Sequence, residues 1–71
     1  MQIIKLDIFI DRGDINKKLE MEHGAVVSDL LERLGINPVS VIVSRNSELI
    51  LQDEKLKNND KIKILSVISG G

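Results

Sequence analysis

One short amphipathic stretch sets the terms for this chain. Val27, Leu30, Leu31 and Leu34 recur at helical spacing, with Ser28, Asp29, Glu32 and Arg33 on the remaining face. Gly35 stands where a left-handed cap stops a helix, and Asn37-Pro38 marks the exit. So few turns do not hold together alone in water, so the stripe requires an apolar sheet face to bury against. The chain has 71 residues and no cysteine. That leaves room for one core and no disulfide to support it, so the sheet must come from β patterns elsewhere in the same chain.

Those patterns are present on both sides of the helix. Ile4, Leu6, Ile8 and Ile10 are apolar while Lys5 and Asp7 between them are charged, the period of a half-buried strand. Asp11 to Asp14 form a turn cluster. Ile15, Leu19 and Met21 then share one face opposite Asn16, Lys18, Glu20 and Glu22, completing an N-terminal hairpin. After the helix, the β-branched run Val39 to Arg45 predicts a third strand, with Val41 and Val43 on one side and Ser40, Ile42 and Ser44 on the other. Asn46-Ser47 turns the chain into a brief piece, Leu49 to Leu51. A polar connection anchored by Leu56 and a turn at Asn59-Asp60 lead to a last strand from Lys61 to about Val67, with Ile62 and Ile64 inward. The expected fold is α+β: a mixed sheet of four to five strands with one short helix on one face. Residues 1–67 form that domain and residues 68–71 a flexible tail.

Composition narrows the chemistry. A net charge of -1 with 30% charged residues gives a balanced surface, so no basic face for nucleic acid is indicated. Phe9 is the only aromatic residue, which makes the core aliphatic and removes the stacking platforms of single-strand binders. No apolar run approaches the ~18 residues of a membrane span, and Met1 leads directly into a strand pattern, so the expected location is the cytoplasm. His23 is the only histidine and falls in an expected exposed turn, which leaves no histidine metal cluster and no catalytic triad. The carboxylates are dispersed among lysines and read as solvated surface, and Gly13, Gly24 and Gly35 stand singly at turns instead of forming a phosphate loop. No catalytic residue, no metal site and no bound cofactor are expected.

Two features are left over. The chain closes on Ile68, Ser69, Gly70 and Gly71 immediately after the last strand. A diglycine enters slots too narrow for other residue pairs, and a free α-carboxylate is anionic at neutral pH and able to attack an activated phosphate. Four extended residues from Ile68 reach roughly 14 Å, far enough to enter a partner's active site while the body stays outside. The second feature is a set of apolar residues facing away from the helix: Phe9, Ile42, Leu65 and Val67. On one sheet face beside the tail they form a docking patch. If the register is shifted by one residue, or the chain folds over them, they do not.

The strand order, the helix segment Val26 to Ile36, the middle segment Val41 to Ile50 and the ending Leu56 to Gly71 together resemble the ubiquitin-like sulfur carriers of the ThiS and MoaD families and their archaeal small modifier-like relatives. The likeness covers essentially the whole chain, and Val67 to Gly71 looks more like a ThiS ending than a MoaD one. The fold it implies is the β-grasp. The function it implies is a carrier and not an enzyme: an adenylating enzyme resembling the ubiquitin-activating enzymes would use ATP and magnesium to join AMP to Gly71, and a sulfur donor would displace AMP to leave a thiocarboxylate. Gly70 would permit the slender approach, Ile68 and Ser69 would line the partner's channel, and the apolar face would dock. Recipients implied are a thiazole synthase in thiamine biosynthesis, the large subunit of a molybdopterin synthase, a tRNA-thiolating enzyme, or lysines on target proteins.

Three departures concern local structure. Thr is usual where Val26 stands, so Ser28 or a backbone group must cap the helix. Asn46-Ser47 replaces a more usual Asn-Gly, and Asn59-Asp60 a more usual Gly-Asp. Besides the sulfur carrier, two functions stay open: a protein modifier joined through Gly71 to lysines, and a binding module with an inert tail.

Overall fold

The computed structural model describes residues 2–67; Ile68 to Gly71, the expected tail, lie outside the described residues. The hairpin comes first, as β1 (Ile3–Ile10) and β2 (Ile15–Glu22). Helix α1 (Val27–Leu34) follows, then β3 (Val41–Arg45), β4 (Glu48–Ile50) and β5 (Asp60–Ser66). They form one sheet in the order β2-β1-β5-β3-β4. β1 and β5 run parallel at its centre, and the other neighbours are antiparallel. The sheet is therefore mixed, with one helix on one face, as expected.

The helix stripe meets the inward rows of the two central strands. Val27, Leu30 and Leu31 are buried with Ile4, Leu6 and Ile8 of β1, Ile62 and Ile64 of β5, and Val43 of β3. Leu56 closes this core from the long connection. Each such aliphatic side chain contributes about 1.5–3 kcal/mol when fully withdrawn from water. Leu34 and Ile36 pack at its margin.

Both ends of α1 are closed by backbone. At the C-terminus Gly35 adopts φ 71°, its N–H donates to the Glu32 carbonyl at 3.1 Å, and Ile36 N–H donates to the Leu31 carbonyl at 2.9 Å. This is the paired closure that a left-handed residue permits. At the N-terminus Val26 offers no side-chain acceptor. Val27 N–H instead donates to the Glu54 carbonyl at 3.0 Å and Ser28 N–H to the Gln52 carbonyl at 2.9 Å, while the Asp29 carboxylate accepts from Val26 N–H at 3.0 Å. The cap is thus backbone from the long connection, not Ser28.

Three strands differ in their limits from those expected, and β4 spans Glu48–Ile50 instead of Leu49 to Leu51. β3 begins at Val41 and not at Val39, because Pro38–Ser40 forms a 3-10 turn capped by Asn37, whose side chain accepts from Val39 N–H at 3.0 Å. That local bond and the fixed φ of Pro38 outweigh the β preference of Val39, which is 84% exposed. β5 begins at Asp60, one residue earlier than expected, and ends at Ser66. Between β3 and β4, Asn46 (φ 53°) and Ser47 (φ 69°) both adopt left-handed conformations. Arg45 pairs with Glu48 across them, so this is the two-residue hairpin whose twist suits the strands.

Candidate functional site

The site of interest is the end of β5, where the chain leaves the sheet, together with the sheet face turned away from α1. β5 is held on both sides up to its last residues. Toward β3, Val67 N–H donates to the Ser40 carbonyl at 3.0 Å, one step beyond the pairing of Ser66 with Val41. Ser40 is itself fixed by the 3-10 turn: its N–H and its hydroxyl both donate to the Asn37 carbonyl, at 3.1 and 2.9 Å. Toward β1, Ser66 N–H donates to the Asp11 carboxylate at 3.0 Å.

The outer face has a graded character that follows from register. Nearest the exit, Leu65 stands directly opposite Ile42, and Val67 continues the Leu65 row by strand parity. Ile42 is 37% exposed and Val67 46%. One row back, Lys63 lies between Phe9 on β1 and Ser44 on β3. The Lys63 ammonium sits 5.9 Å from the centre of the Phe9 ring, a cation–π distance. Further back, Asp7 stands between Lys18 and Lys61. The structure therefore brings Ile42, Leu65 and Val67 together beside the exit, while Phe9 sits one row away with Lys63 across it. A groove of about 550 Å³ runs over the charged rows, lined by Asp7, Phe9, Lys18, Ser44, Lys61 and Lys63 among others.

Glu54, expected as a solvated carboxylate, Asp60, expected in a turn, and Arg45, expected to close the third strand, are joined in a cluster that the sequence pattern does not show. Arg45 points inward and is held by the Lys55 carbonyl at 2.9 Å, the Glu54 carboxylate at 2.8 Å and the Asp60 carboxylate at 3.3 Å. Asp60 is buried and also accepts from Lys57 N–H at 2.8 Å. The bond to Glu54 first, and the nearby charges of Asp60 and Glu54, raise the Arg45 pKa above its ordinary value against the opposing effect of burial. This cluster ties the connection that caps α1 to the sheet. Strand parity carries the signal: Arg45 follows Val41 and Val43 on the inward row, and Asp60 precedes Ile62 and Ile64 on theirs.

Nothing at the site suggests metal chemistry among the described residues, where no three His, Cys, Asp or Glu side chains are grouped to hold an ion. His23 is exposed in the turn before α1. Among the described residues, no helix is long and apolar enough to cross a membrane.

The comparison that decides the family runs along nearly the whole chain: residues 9–71 match the model of the ThiS family. The chain belongs to the ThiS family. It is 34% identical over 55 residues to the sulfur carrier protein TtuB of Thermus thermophilus, covering 78% of this chain and 85% of that one. Among solved structures it is similar to a putative molybdopterin converting factor subunit 1 from Pyrococcus furiosus. There the TM-score is 0.76 at 19% identity, with 92% of this chain and 99% of that one covered. It is also similar to the ubiquitin of Caldiarchaeum subterraneum, with TM-score 0.74, 16% identity, and 99% and 100% covered. The two structures establish the fold of this ThiS-family chain, a ubiquitin-like β-grasp. The resemblance noted in the sequence is thereby confirmed.

Proposed function

We propose that the protein is a sulfur carrier whose reactive group is the Gly71 carboxylate. What supports the reading is that the family match runs through Gly70 and Gly71. A partner adenylating enzyme supplies the catalysis, with ATP and magnesium bound on its side. A Gly71 carboxylate oxygen bonds to the α-phosphorus of ATP and pyrophosphate leaves, giving an acyl adenylate. A sulfur donor at the oxidation level of sulfide then bonds to the Gly71 carbonyl carbon, and AMP leaves. The product is a thiocarboxylate, and the chain acts as a group-bearing cofactor made of polypeptide.

The residues divide by role. Gly70 has no side chain to obstruct entry into a narrow channel, and Ile68 and Ser69 line that channel. Ile42, Leu65 and Val67, with Phe9 beside them, dock the adenylating enzyme and afterwards the sulfur-accepting enzyme. The recipient is a thiazole synthase, a molybdopterin synthase large subunit or a tRNA-thiolating enzyme. The protein works in the cytoplasm with these partners.

The test is ATP–pyrophosphate exchange catalysed by the organism's own adenylating enzyme. The full chain is expected to support exchange, and a chain lacking Gly70 and Gly71 is expected to support none. Equal exchange with both chains, or cellular function retained after the deletion, would instead make the sheet face the working part. Isopeptide-linked Gly71 in cell extracts would add conjugation to lysines as a second product of the same activation.

A further inference from the structure

The bond between Asp11 and Ser66 is unusual in what it replaces. In a parallel ladder a residue donates its N–H to one neighbour-strand carbonyl and accepts on its own carbonyl from the N–H two residues further along. Asp11 N–H makes the first bond, to the Ile64 carbonyl at 3.1 Å. The second should run from Ser66 N–H to the Asp11 carbonyl. That carbonyl is already turned into the hairpin loop, where it accepts from Asp14 N–H at 3.2 Å. The Asp11 carboxylate takes its place, accepting from Ser66 N–H at 3.0 Å. The last rung on this side of β5 therefore depends on a side chain, whereas the rung on the other side, Val67 to Ser40, is backbone.

We propose that Asp11 is a positioning residue for the tail: its carboxylate extends the β1–β5 ladder by one rung and fixes the end of β5 at Ser66, two residues before Ile68. The inference rests on the carrier reading for its consequence in the reaction, but not for the latch itself. Without the carboxylate, Ser66 is held by β3 alone, and the chain pivots there. Only a fraction of molecules then present the tail along the direction a docked enzyme requires, and the apparent affinity falls by that fraction.

Asp11→Ala and Asp11→Asn in the full chain test this, the asparagine keeping an acceptor oxygen without the charge. Amide hydrogen exchange is the first readout. In D11A the Ser66 amide is expected to exchange about tenfold faster or more, the worth of one bond to a charged acceptor. The Ile62 and Ile64 amides should be unchanged, and D11N should recover most of the protection. The second readout is pyrophosphate exchange with the adenylating enzyme, where D11A is expected to raise KM for the chain by several-fold with kcat retained. An unchanged Ser66 amide in D11A overturns the latch, as does a uniform rise across the sheet, which would mean general destabilisation. A faster Ser66 amide with unchanged KM overturns the positioning role. If the wild-type chain supports no pyrophosphate exchange, the carrier reading fails, and the Ser66 result still decides whether Asp11 fixes the exit.

Discussion

Replacing Asp60 with alanine probes the cluster that joins the long connection to the sheet. The Asp60 side chain is 11% exposed, and its Oδ2 accepts from Lys57 N–H at 2.8 Å and from the Arg45 guanidinium at 3.3 Å. Hydrogen bonds to a charged group contribute about 1.5–3 kcal/mol each, and removing one partner of a buried pair costs about 3–5 kcal/mol. Arg45 keeps Glu54 and the Lys55 carbonyl, so the low end applies and D60A is expected to lose about 3 kcal/mol. Asp60→Asn retains an acceptor for Lys57 and is expected to lose about half as much. In a domain this small each kcal/mol moves Tm by about 4–8 °C, so D60A should melt on the order of 15 °C lower.

Urea denaturation of D60A, Arg45→Met and the double variant measures the pair directly. The double variant should lose less than the sum of the singles, by about 1 kcal/mol or more. The pH dependence follows from the raised Arg45 pKa. A group raised on folding stabilises fully below its unfolded-state pKa and loses that contribution only as pH climbs through the folded value, which here lies in strongly alkaline solution. The loss in R45M is therefore expected to be equal at neutral and mildly alkaline pH. A D60A variant within about 0.5 kcal/mol of wild type, or strictly additive singles, would show that the cluster does not hold the connection.

The remaining predictions concern local backbone and the outer face. Ser47 occupies a left-handed position (φ 69°) that favours glycine, so Ser47→Gly is expected to raise stability by about 0.5–1 kcal/mol, read from the urea midpoint. Val26→Thr supplies the missing cap acceptor, but Glu54 and Gln52 carbonyls already satisfy the first helix N–H groups. Its gain is therefore expected to stay under about 0.5 kcal/mol, below an ordinary cap. Ile42→Glu places a charge on the exposed row opposite Leu65. It should leave the urea midpoint nearly unchanged while weakening binding to the adenylating enzyme at least about tenfold, as removal of a docking anchor does; unchanged binding would remove this face from the interface.

Much of the fold was legible because the inward residues obey strict periods. Ile4, Leu6 and Ile8, and Ile62 and Ile64, alternate cleanly, and Val27, Leu30 and Leu31 fall on one helical stripe, so element type and facing followed from spacing alone. What was not legible depended on bonds between segments far apart in sequence. Asp60 looked like a turn residue because its partner Arg45 lies fifteen positions away. Asp11 looked like a turn residue for the same reason, its bond to Ser66 spanning fifty-five. Val39 looked like strand because its β preference was read without the Asn37 side chain that holds it in a 3-10 turn. On the outer face parity put Lys63 beside Leu65 and Val67 on the last strand, but the spacing did not show that the register sets Phe9 opposite Lys63, one row back from the Ile42–Leu65 pair. The diglycine itself was plain in the sequence, whereas the two rungs that hold Ser66 and Val67 at the end of β5 were not.

The carrier role turns on the chemistry of Gly71, and the intact mass of the protein is its sharpest test. Incubation with the organism's own adenylating enzyme, ATP, magnesium and a sulfide source should convert the chain to a species heavier by the exchange of one oxygen for one sulfur. Fragmentation should place that exchange on Gly71. An unchanged mass under conditions where the enzyme is active, or a modification placed anywhere else in the chain, would contradict the account.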